Sequence, residues 1–232
     1  MASGLKSAVR PYVIAEMKKA SPSAGLLRET YEPEKIAGLY VASGAAAVSV
    51  LTEPVHFLGN VEDLELVRKS VDCPILRKDF IGDVYQIYES AACGADVILL
   101  IIRALDRKLL AELNETALSL GLEVLLESHS EEELETAIEF PRAILGINNR
   151  NLSTLVTDLS VGRSLAGLIP PGRPAVIESG IRTPEEVRMF RKLGYSGFLI
   201  GEVLMRNARP DLLLRDLAGL EEPPGESPEG GG

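Results

Sequence analysis

The chain contains eight short apolar segments rich in Val, Ile and Leu, and each one ends at a polar or charged residue. The segments span residues 12–15, 45–51, 74–76, 96–102, 122–126, 143–147, 175–177 and 197–200. The residues at which they end are Glu16, Thr52, Arg77 with Lys78, Arg103, Glu127, Asn148, Glu178 with Ser179, and Gly201 with Glu202. Successive ends are 21 to 36 residues apart, which is the length of a strand, a helix and two loops. The pattern therefore predicts eight βα units.

Eight consecutive βα units predict an α/β fold, a (β/α)8 TIM barrel formed by a single domain over residues 1–220. In such a barrel the carboxyl ends of all strands face the same mouth, where active sites lie. We therefore expect the polar residues at the strand ends to form one ring. A doubly wound Rossmann sheet is the alternative, but it requires a glycine-rich turn after the first strand. The residues at that point are Glu16-Met17-Lys18-Lys19.

The segments between the strands have the apolar period and the end residues of helices. The predicted helices cover residues 33–43, 61–71, 84–93, 106–120, 131–140, 159–168, 184–193 and 211–220. Gly44, Gly94, Gly121 and Gly194 are expected to end four of them in the left-handed conformation. Residues 1–11 form a short lead-in. The tail, residues 221–232, is rich in Pro, Gly and Glu and has no apolar anchor, and we expect it to be disordered.

Composition and charge argue against several classes of function. The 232-residue chain has a formal net charge of −10, which disfavours nucleic acid or an anionic membrane as a partner. The longest apolar segment is strand-sized, so we expect no membrane span. The two cysteines and two histidines have no metal-ligand spacing, and the sequence lacks a Walker loop and a nucleophile elbow. We expect a reduced, cytoplasmic monomer that uses no metal and no cofactor.

Lysines and carboxylates at the predicted strand ends are the strongest candidates for catalysis. Alternation along an extended segment places Glu16 and Lys18 on one face. Lys78 ends the third strand, Glu127 the fifth and Asn148 the sixth. A single charged residue at a strand end is often only solvated, but this many at one mouth indicate acid–base chemistry on a small molecule.

A second group of residues has the features of a phosphate site. Glu178-Ser179-Gly180 ends the seventh strand and Gly201-Glu202 the eighth, and phosphate binding after these two strands recurs in barrels. Glycines let backbone N–H groups approach an anion, and the segment after Gly201 offers a helix N-terminus. Ser21 and Ser179 are further donors. The alternative is that the two glycines only permit tight turns.

Seven sequence blocks, in one order from residue 13 to about residue 206, resemble the indole-3-glycerol phosphate synthase family. They are residues 13–23 (VIAEMKKASPS), 48–54 (VSVLTEP), 75–88 (ILRKDFIGDVYQIY), 94–101 (GADVILLI), 146–152 (GINNRNL), 178–181 (ESGI) and 199–206 (LIGEVLMR). The resemblance implies a carboxy-lyase of tryptophan biosynthesis with a phosphorylated substrate, 1-(2-carboxyphenylamino)-1-deoxyribulose 5-phosphate. That reaction closes an indole ring with loss of carbon dioxide and water.

The resemblance also implies roles for individual residues. Lys78 matches the general acid for attack on the substrate ketone, and Lys18 matches a lysine that holds the substrate carboxylate. Glu127 matches the acid–base residue of the later steps, whereas Glu16 and Asn148 match groups that orient the lysines and the ribulose hydroxyls. The residues expected to bind substrate are Ser21, Pro22, Phe57, Phe80, Arg150, Leu152, Glu178, Ser179, Gly180, Gly201 and Glu202. Of these, the apolar slot for the anthranilate ring is expected from Pro22, Phe57, Phe80 and Leu152.

The chain also departs from the family pattern. Only about eleven residues precede Tyr12, whereas the family usually has a few tens, including a helix that helps to cover the substrate. Two alternatives stay open: a related barrel isomerase acting on phosphoribosyl anthranilate, and a non-catalytic barrel that serves as a scaffold or binding module. The isomerase chemistry often uses a cysteine and an aspartate at strand ends, and Cys73 precedes its strand instead.

Overall fold

All eight predicted strands form, and they close into a parallel barrel. The computed structural model describes residues 1–220, and the tail predicted to be disordered lies outside the described residues. The strands are β1 (Tyr12–Met17), β2 (Ala47–Leu51), β3 (Ile75–Lys78), β4 (Val97–Ile101), β5 (Glu123–Ser128), β6 (Ile144–Asn148), β7 (Ala175–Glu178) and β8 (Gly197–Ile200). Neighbours pair in chain order, and β8 closes the barrel on β1, with Tyr12 opposite Gly197. The predicted (β/α)8 barrel is confirmed.

A helix lies between each strand and the next, as predicted, and another follows β8. The helices are α1 (Pro33–Ala42), α2 (Glu62–Ser70), α3 (Val84–Ala92), α4 (Arg107–Ser119), α5 (Glu131–Ile138), α6 (Ser160–Leu165), α7 (Pro184–Lys192) and α8 (Pro210–Leu217). Most bounds differ from the predicted ones by one or two residues. Helix α6 is shorter because the chain tightens into a 3-10 turn over Ala166–Leu168. Helix α8 ends early because Gly219 takes a φ of 65°. None of the helices in residues 1–220 is long and apolar enough to cross a membrane.

Local chemistry sets the helix ends. The side chains of Thr183 and Ser130 accept hydrogen bonds from backbone N–H groups in the first turns of α7 and α5, so both residues are N-caps. The predicted left-handed glycines are confirmed by φ values of 101°, 88°, 81° and 101° at Gly44, Gly94, Gly121 and Gly194. These ends fix where each loop leaves its helix to enter the next strand.

The lead-in contains a helix that the sequence analysis did not predict, Ala2–Ser7. Its Leu5 packs into the apolar interior at the amino-terminal end of the barrel. A Cβ on Gly197 would lie 2.6 Å from Leu5 Cδ2, so this close approach requires glycine. The Met1 ammonium pairs with Glu123, at the start of β5, at 2.8 Å. A helix of six residues is too short to show an apolar period in the sequence.

Strand alternation divides the apolar residues between two cores. One core lies inside the barrel and includes Ile14, Leu76, Leu125, Ile144 and Val176. The other lies between the strands and the helices. Successive side chains of a strand point to opposite faces, so the residues two or four positions further along point inward at the mouth. These inward residues are Glu16, Lys78, Glu127, Asn148 and Glu178.

The expectation of one ring is wrong for three other strand-end residues: alternation turns Thr52 and Arg77 away from the mouth, and a 3-10 turn displaces Arg103. Arg77 points outward and donates to Gln86 O and Ser90 Oγ, both at 3.1 Å. Thr52 donates from Oγ1 to Asp79 Oδ2 at 2.6 Å. Arg103 lies in a 3-10 turn after β4 and pairs with Glu133, on α5, at 2.9 Å. None of Thr52, Arg77 and Arg103 lines the cavity described next.

Candidate active site

A cavity of about 600 Å³ opens at the carboxyl ends of the strands. Most of the predicted site residues line it: Glu16, Lys18, Phe57, Lys78, Phe80, Glu127, Asn148, Arg150, Leu152, Glu178, Ser179, Gly180, Gly201 and Glu202. These residues come from five strands, β1, β3, β5, β6 and β7, and from the loops that follow β1, β2, β3, β6, β7 and β8. Residues that are up to 186 positions apart, from Glu16 to Glu202, therefore meet in one place.

Ser21 and Pro22 are the two predicted site residues that do not line the cavity. They lie in a small antiparallel hairpin, Ala20–Ser21 with Gly25–Leu26, just beyond β1. Ser21 Oγ is buried without a hydrogen-bond partner among the described residues, and Pro22 is exposed. The hairpin is tied to the neighbouring loop by a bond from Ala20 N to Phe57 O at 3.1 Å. The bond holds the hairpin beside Phe57, which lines the cavity, and the predicted contact of Ser21 and Pro22 with substrate stays a prediction.

Lys78 lies between two buried glutamates. Its Nζ is 3.0 Å from Glu127 Oε2 and 3.2 Å from Glu178 Oε2, and each carboxylate side chain is only 1 % exposed. Gly146, on β6, leaves room for this cluster because a Cβ there would lie 2.6 Å from Glu178 Oε1. The strands β3, β5 and β7 thus hold one ammonium group between two carboxyl groups.

These three groups change one another's protonation. Burial opposes the charge on Lys78, but the carboxylates of Glu127 and Glu178 outweigh it and raise the pKa of the ammonium group. Burial also opposes ionisation of Glu127, yet Lys78 and His129 together lower the pKa of that carboxyl. Burial raises the pKa of Glu178 to about 8, against the attraction of Lys78 and with the repulsion of Glu127. At neutral pH the cluster therefore contains an ammonium, a carboxylate and a carboxylic acid.

A second lysine–glutamate pair lies at the end of β1. Lys18 Nζ is 2.5 Å from Glu16 Oε1, and the two side chains are 12 % and 5 % exposed. Their predicted placement on one face is therefore confirmed. Gly201, after β8, is needed beside them because a Cβ there would lie 2.5 Å from Glu16 Oε1. The pair is buried enough for its charges to interact strongly and open enough to meet a ligand.

The loop after β7 has a strained backbone at the cavity wall. Ser179 has a φ of 63° and Gly180 a φ of 86°, and non-glycine residues rarely adopt such values. Asn149 holds the loop, since its Nδ2 donates to Ser179 O and its Oδ1 accepts from Gly162 N, both at 2.9 Å. Strain that the surroundings enforce in this way is concentrated at functional sites.

Glu202 begins a short helix, Glu202–Arg206, that follows β8. Its carboxylate lies 3.2 Å from Arg150 Nη2 and 3.6 Å from Arg206 Nε. Arg182 and Arg206, which the sequence analysis did not single out, also line the cavity. The negative charge of Glu202 is thus offset by two arginines. The wall formed by the loops after β7 and β8 therefore has the net positive charge that an anion requires.

Apolar side chains line another part of the cavity. Phe57, Phe80 and Leu152 are present as predicted. Phe57 is positioned by Glu53, whose carboxylate accepts hydrogen bonds from the N–H groups of residues 55, 56 and 57 at 3.0, 2.6 and 3.0 Å. Three such bonds fix the loop that holds the aromatic ring.

Sequence analysis missed Glu53, Asn149 and His129. Only their position in the sequence could have pointed to them, since each lies within two residues of a candidate residue. Glu53 follows Thr52, Asn149 follows Asn148, and His129 is two residues after Glu127. Within residues 1–220, no cluster of His, Cys, Asp and Glu side chains could hold a metal ion.

Comparison with known proteins identifies the family. The family model described as indole-3-glycerol phosphate synthase matches residues 2–217. The chain belongs to the indole-3-glycerol phosphate synthase family. The activity of this family is that of a carboxy-lyase in tryptophan biosynthesis, and the resemblance found in the sequence is confirmed. The barrel isomerase is therefore excluded, in agreement with Cys73, which precedes β3 and does not line the cavity.

Curated relatives agree with the family model. The chain is 46 % identical over 213 residues to indole-3-glycerol phosphate synthase of Polaromonas naphthalenivorans, which covers 92 % of this chain and 81 % of that protein. It is 49 % identical over 206 residues to the enzyme of Carboxydothermus hydrogenoformans, covering 88 % of this chain and 78 % of that protein.

Solved structures resemble the fold. KGPDC from Streptococcus mutans superposes with a TM-score of 0.67 at 14 % identity, covering 90 % of this chain and 95 % of that one. N-acetylmannosamine-6-phosphate 2-epimerase from Clostridium perfringens gives a TM-score of 0.64 at 14 % identity, covering 86 % of this chain and 90 % of that one. At such low identity the similarity concerns the barrel alone.

Proposed function

We propose that this cavity binds 1-(2-carboxyphenylamino)-1-deoxyribulose 5-phosphate and that Lys78 begins its ring closure. The position of Lys78 between Glu127 and Glu178, in the same cavity as Lys18, supports this most strongly. A weakly nucleophilic aromatic carbon must attack a ketone, so a cationic acid is needed at the ketone oxygen. Lys78 meets this need because its buried carboxyl neighbours, Glu127 above all, raise the pKa of its ammonium group and keep it protonated.

In the first step, the ring carbon that bears the substrate carboxylate forms a bond to the ketone carbon. Lys78 donates a proton to the ketone oxygen, which becomes a hydroxyl group. The bond to the carboxylate then breaks, carbon dioxide leaves, and the electron pair of that bond restores the aromatic ring. Glu178, protonated at neutral pH because of its raised pKa, lies 3.2 Å from Lys78 and returns a proton to it.

In the second step, the new hydroxyl group leaves as water. Lys18, paired with Glu16, first holds the substrate carboxylate and then protonates the departing hydroxyl. Glu127 accepts the proton that leaves the new five-membered ring, and the electron pair of that C–H bond forms the indole double bond. Asn148 is only 6 % exposed at the end of β6, and we assign it the orientation of the ribulose hydroxyls.

The remaining contacts place the two ends of the substrate. The phosphate binds to the loops Ser179-Gly180 and Gly201-Glu202, close to Arg150, whose positive charge lies at the same wall. The anthranilate ring occupies the apolar slot of Phe57, Phe80 and Leu152. The two lysines then lie between a dianion and an aromatic ring, where the reacting atoms are.

A turnover assay with matched variants tests this proposal. The purified protein should convert the substrate into an indole product that is followed by its fluorescence. Lys78→Ala should lower kcat by at least about 10²–10⁴-fold, because a positioned proton donor is lost. Lys19→Ala is the matched control, since Lys19 is a neighbouring lysine that does not line the cavity, and its kcat should equal that of the wild type.

Calorimetric titration with a substrate analogue separates catalysis from simple binding. Tight binding of the analogue by a wild-type protein that forms no product, even at high enzyme concentration, would contradict the proposal and favour the non-catalytic binding module.

We also propose that the protein acts in the cytoplasm as a monomer that does not bind nucleic acid. Its net charge of −10 opposes association with polyanions, and Cys73 and Cys93 are both free thiols. Light scattering after size-exclusion chromatography should give the mass of one chain, 25.0 kDa. A mass of about 50 kDa would contradict the monomer.

A further inference from the structure

His129 is a buried histidine just behind the catalytic cluster. It follows β5, its side chain is 4 % exposed, and it does not line the cavity. Its Nε2 lies 3.2 Å from Glu127 Oε1, the oxygen that Lys78 does not contact. Any influence of His129 on the reaction must therefore pass through Glu127.

The other side of the imidazole ring faces a second carboxylate. His129 Nδ1 lies 3.3 Å from Glu133 Oε2, and the same oxygen accepts a hydrogen bond from His129 N at 2.7 Å. Glu133 is in turn held by Arg103, which contacts its Oε1 at 2.9 Å. The groups thus form a row of alternating charge, in the order Arg103, Glu133, His129, Glu127 and Lys78.

This arrangement favours the imidazolium form. Both ring nitrogens of His129 face carboxylate oxygens. Nδ1 is within hydrogen-bond distance of Glu133 Oε2 at 3.3 Å, and Nε2 lies 3.2 Å from Glu127 Oε1 as an ion pair without hydrogen-bond angles. The positive charge of the imidazolium therefore suits both sides of the ring. Burial and the charge of Arg103 oppose the extra proton, but Glu127 and Glu133 outweigh them and raise the pKa of His129 to about 9. The ring is therefore charged at neutral pH.

We propose that His129 is a positioning residue that acts through Glu127, and this inference rests on the function proposed above. As an imidazolium it fixes Glu127 Oε1, so that Oε2 is directed at Lys78. It also makes the two carboxyl groups around Lys78 unequal. Glu127 is contacted by two cations and stays ionised, whereas among the described residues Glu178 pairs with Lys78 alone and takes the proton.

The test compares the dependence of kcat on pH between wild-type protein and His129→Leu. Loss of the imidazolium removes one positive neighbour from Glu127, so the pKa of Glu127 rises. Glu127 must be ionised to accept a proton. The midpoint of the acid limb in the plot of kcat against pH should therefore shift to higher pH by about 1 unit or more. KM should change less than about twofold, because His129 does not touch the cavity.

The difference in kcat between the two proteins should narrow above about pH 9, where wild-type His129 itself loses its proton.

Two further variants test the charge of the ring. His129→Gln retains an N–H donor but no charge, so its acid limb should lie between those of the wild type and His129→Leu. Glu133→Gln leaves the histidine in place and removes the outer carboxylate. The midpoint of its acid limb should also shift to higher pH, by less than that of His129→Leu. Glu133→Gln also tests the inference if His129→Leu fails to fold. His56→Leu is the matched control, since His56 is exposed and does not line the cavity.

Separate outcomes contradict the inference and the function beneath it. If the wild type is active and the His129→Leu and Glu133→Gln profiles coincide with it, or differ only in KM or in the amount of folded protein, the role of His129 is refuted and the proposed function stands. A wild type that forms no product refutes the proposed function itself.

Discussion

The two ends of the barrel treat polar groups in opposite ways. At the amino-terminal end, Leu5 closes an apolar interior and Glu123 pairs with Met1 at the rim, where it is 35 % exposed. At the carboxyl end, Glu16, Glu127 and Glu178 are buried together within the cavity that holds Lys18 and Lys78. One end thus excludes charge, whereas the other concentrates it.

The amino-terminal end thus stabilises the fold, whereas the carboxyl end gives up stability for function. Buried charges lose hydration that their partners return only in part, and Glu178 Oε1 has no hydrogen-bond partner among the described residues. Substitutions at the mouth should therefore lower activity while sparing or raising stability, and substitutions at the opposite end should do the reverse.

After Lys78→Ala, the largest effect at the mouth is expected from Glu178→Gln. We expect kcat to fall about 10²-fold, because the amide cannot return a proton to Lys78. The pKa of Glu178 in the folded protein is about 8, above its ordinary value of 4.5, so its contribution to stability is fully present below about pH 4.5 and is lost as the pH rises to about 8. The variant cannot ionise, and its Tm should exceed that of the wild type increasingly through this window.

Thermal unfolding of wild type and variant at several pH values measures this effect on stability. Glu185→Gln, at an exposed position on α7, is the control and should show no such trend. A Tm difference that is constant between about pH 5 and 9 would refute the raised pKa.

At the opposite end, Leu5→Ala should act only on stability. Removing a buried leucine side chain costs about 2–5 kcal/mol, and Leu5 is 2 % exposed within the barrel interior. Urea unfolding should show that loss, while kcat and KM at a temperature where the variant is folded should match the wild type. A change in kcat would show that the two ends are coupled.

Gly201→Ala should have an intermediate effect, confined to the mouth. The added Cβ would lie 2.5 Å from Glu16 Oε1 and must displace the partner of Lys18. We expect kcat to fall about tenfold, as a positioned catalytic group is lost in part. Gly38→Ala is the control, since a Cβ there meets nothing within 4 Å. It should raise stability by about 0.5–1 kcal/mol within α1 and leave kcat unchanged.

The smallest effect is expected from Ser179→Gly. Glycine adopts a φ near 63° without the cost that a side chain incurs, so the variant should be more stable by about 1 kcal/mol. KM should rise, because the hydroxyl and the rigid loop both help to bind phosphate. Ser179→Ala separates the two, since it lacks the hydroxyl and retains the strain. A Tm for Ser179→Gly at or below that of Ser179→Ala would contradict the strain.

The barrel and much of its site were predictable because both follow from alternation along the strands. Lys78 and Glu127 lie two residues after inward-facing Leu76 and Leu125, so their direction was fixed by the pattern. The position of Ser21 outside the lining of the cavity was not predictable, because it depends on a hairpin held by a bond from Ala20 to Phe57 in another loop. The position of His129 beside Glu133 depends on where α5 starts.

A crystal structure of Lys78→Ala with the unreacted substrate bound tests directly whether Lys78 acts on the substrate ketone. We predict that the phosphate lies on the loops after β7 and β8, the aromatic ring between Phe57, Phe80 and Leu152, and the substrate carboxylate beside Lys18. The ketone oxygen should point at the space vacated by the Lys78 ammonium group. A substrate bound with its phosphate elsewhere, or with its ketone turned away from β3, would contradict the proposed role of Lys78.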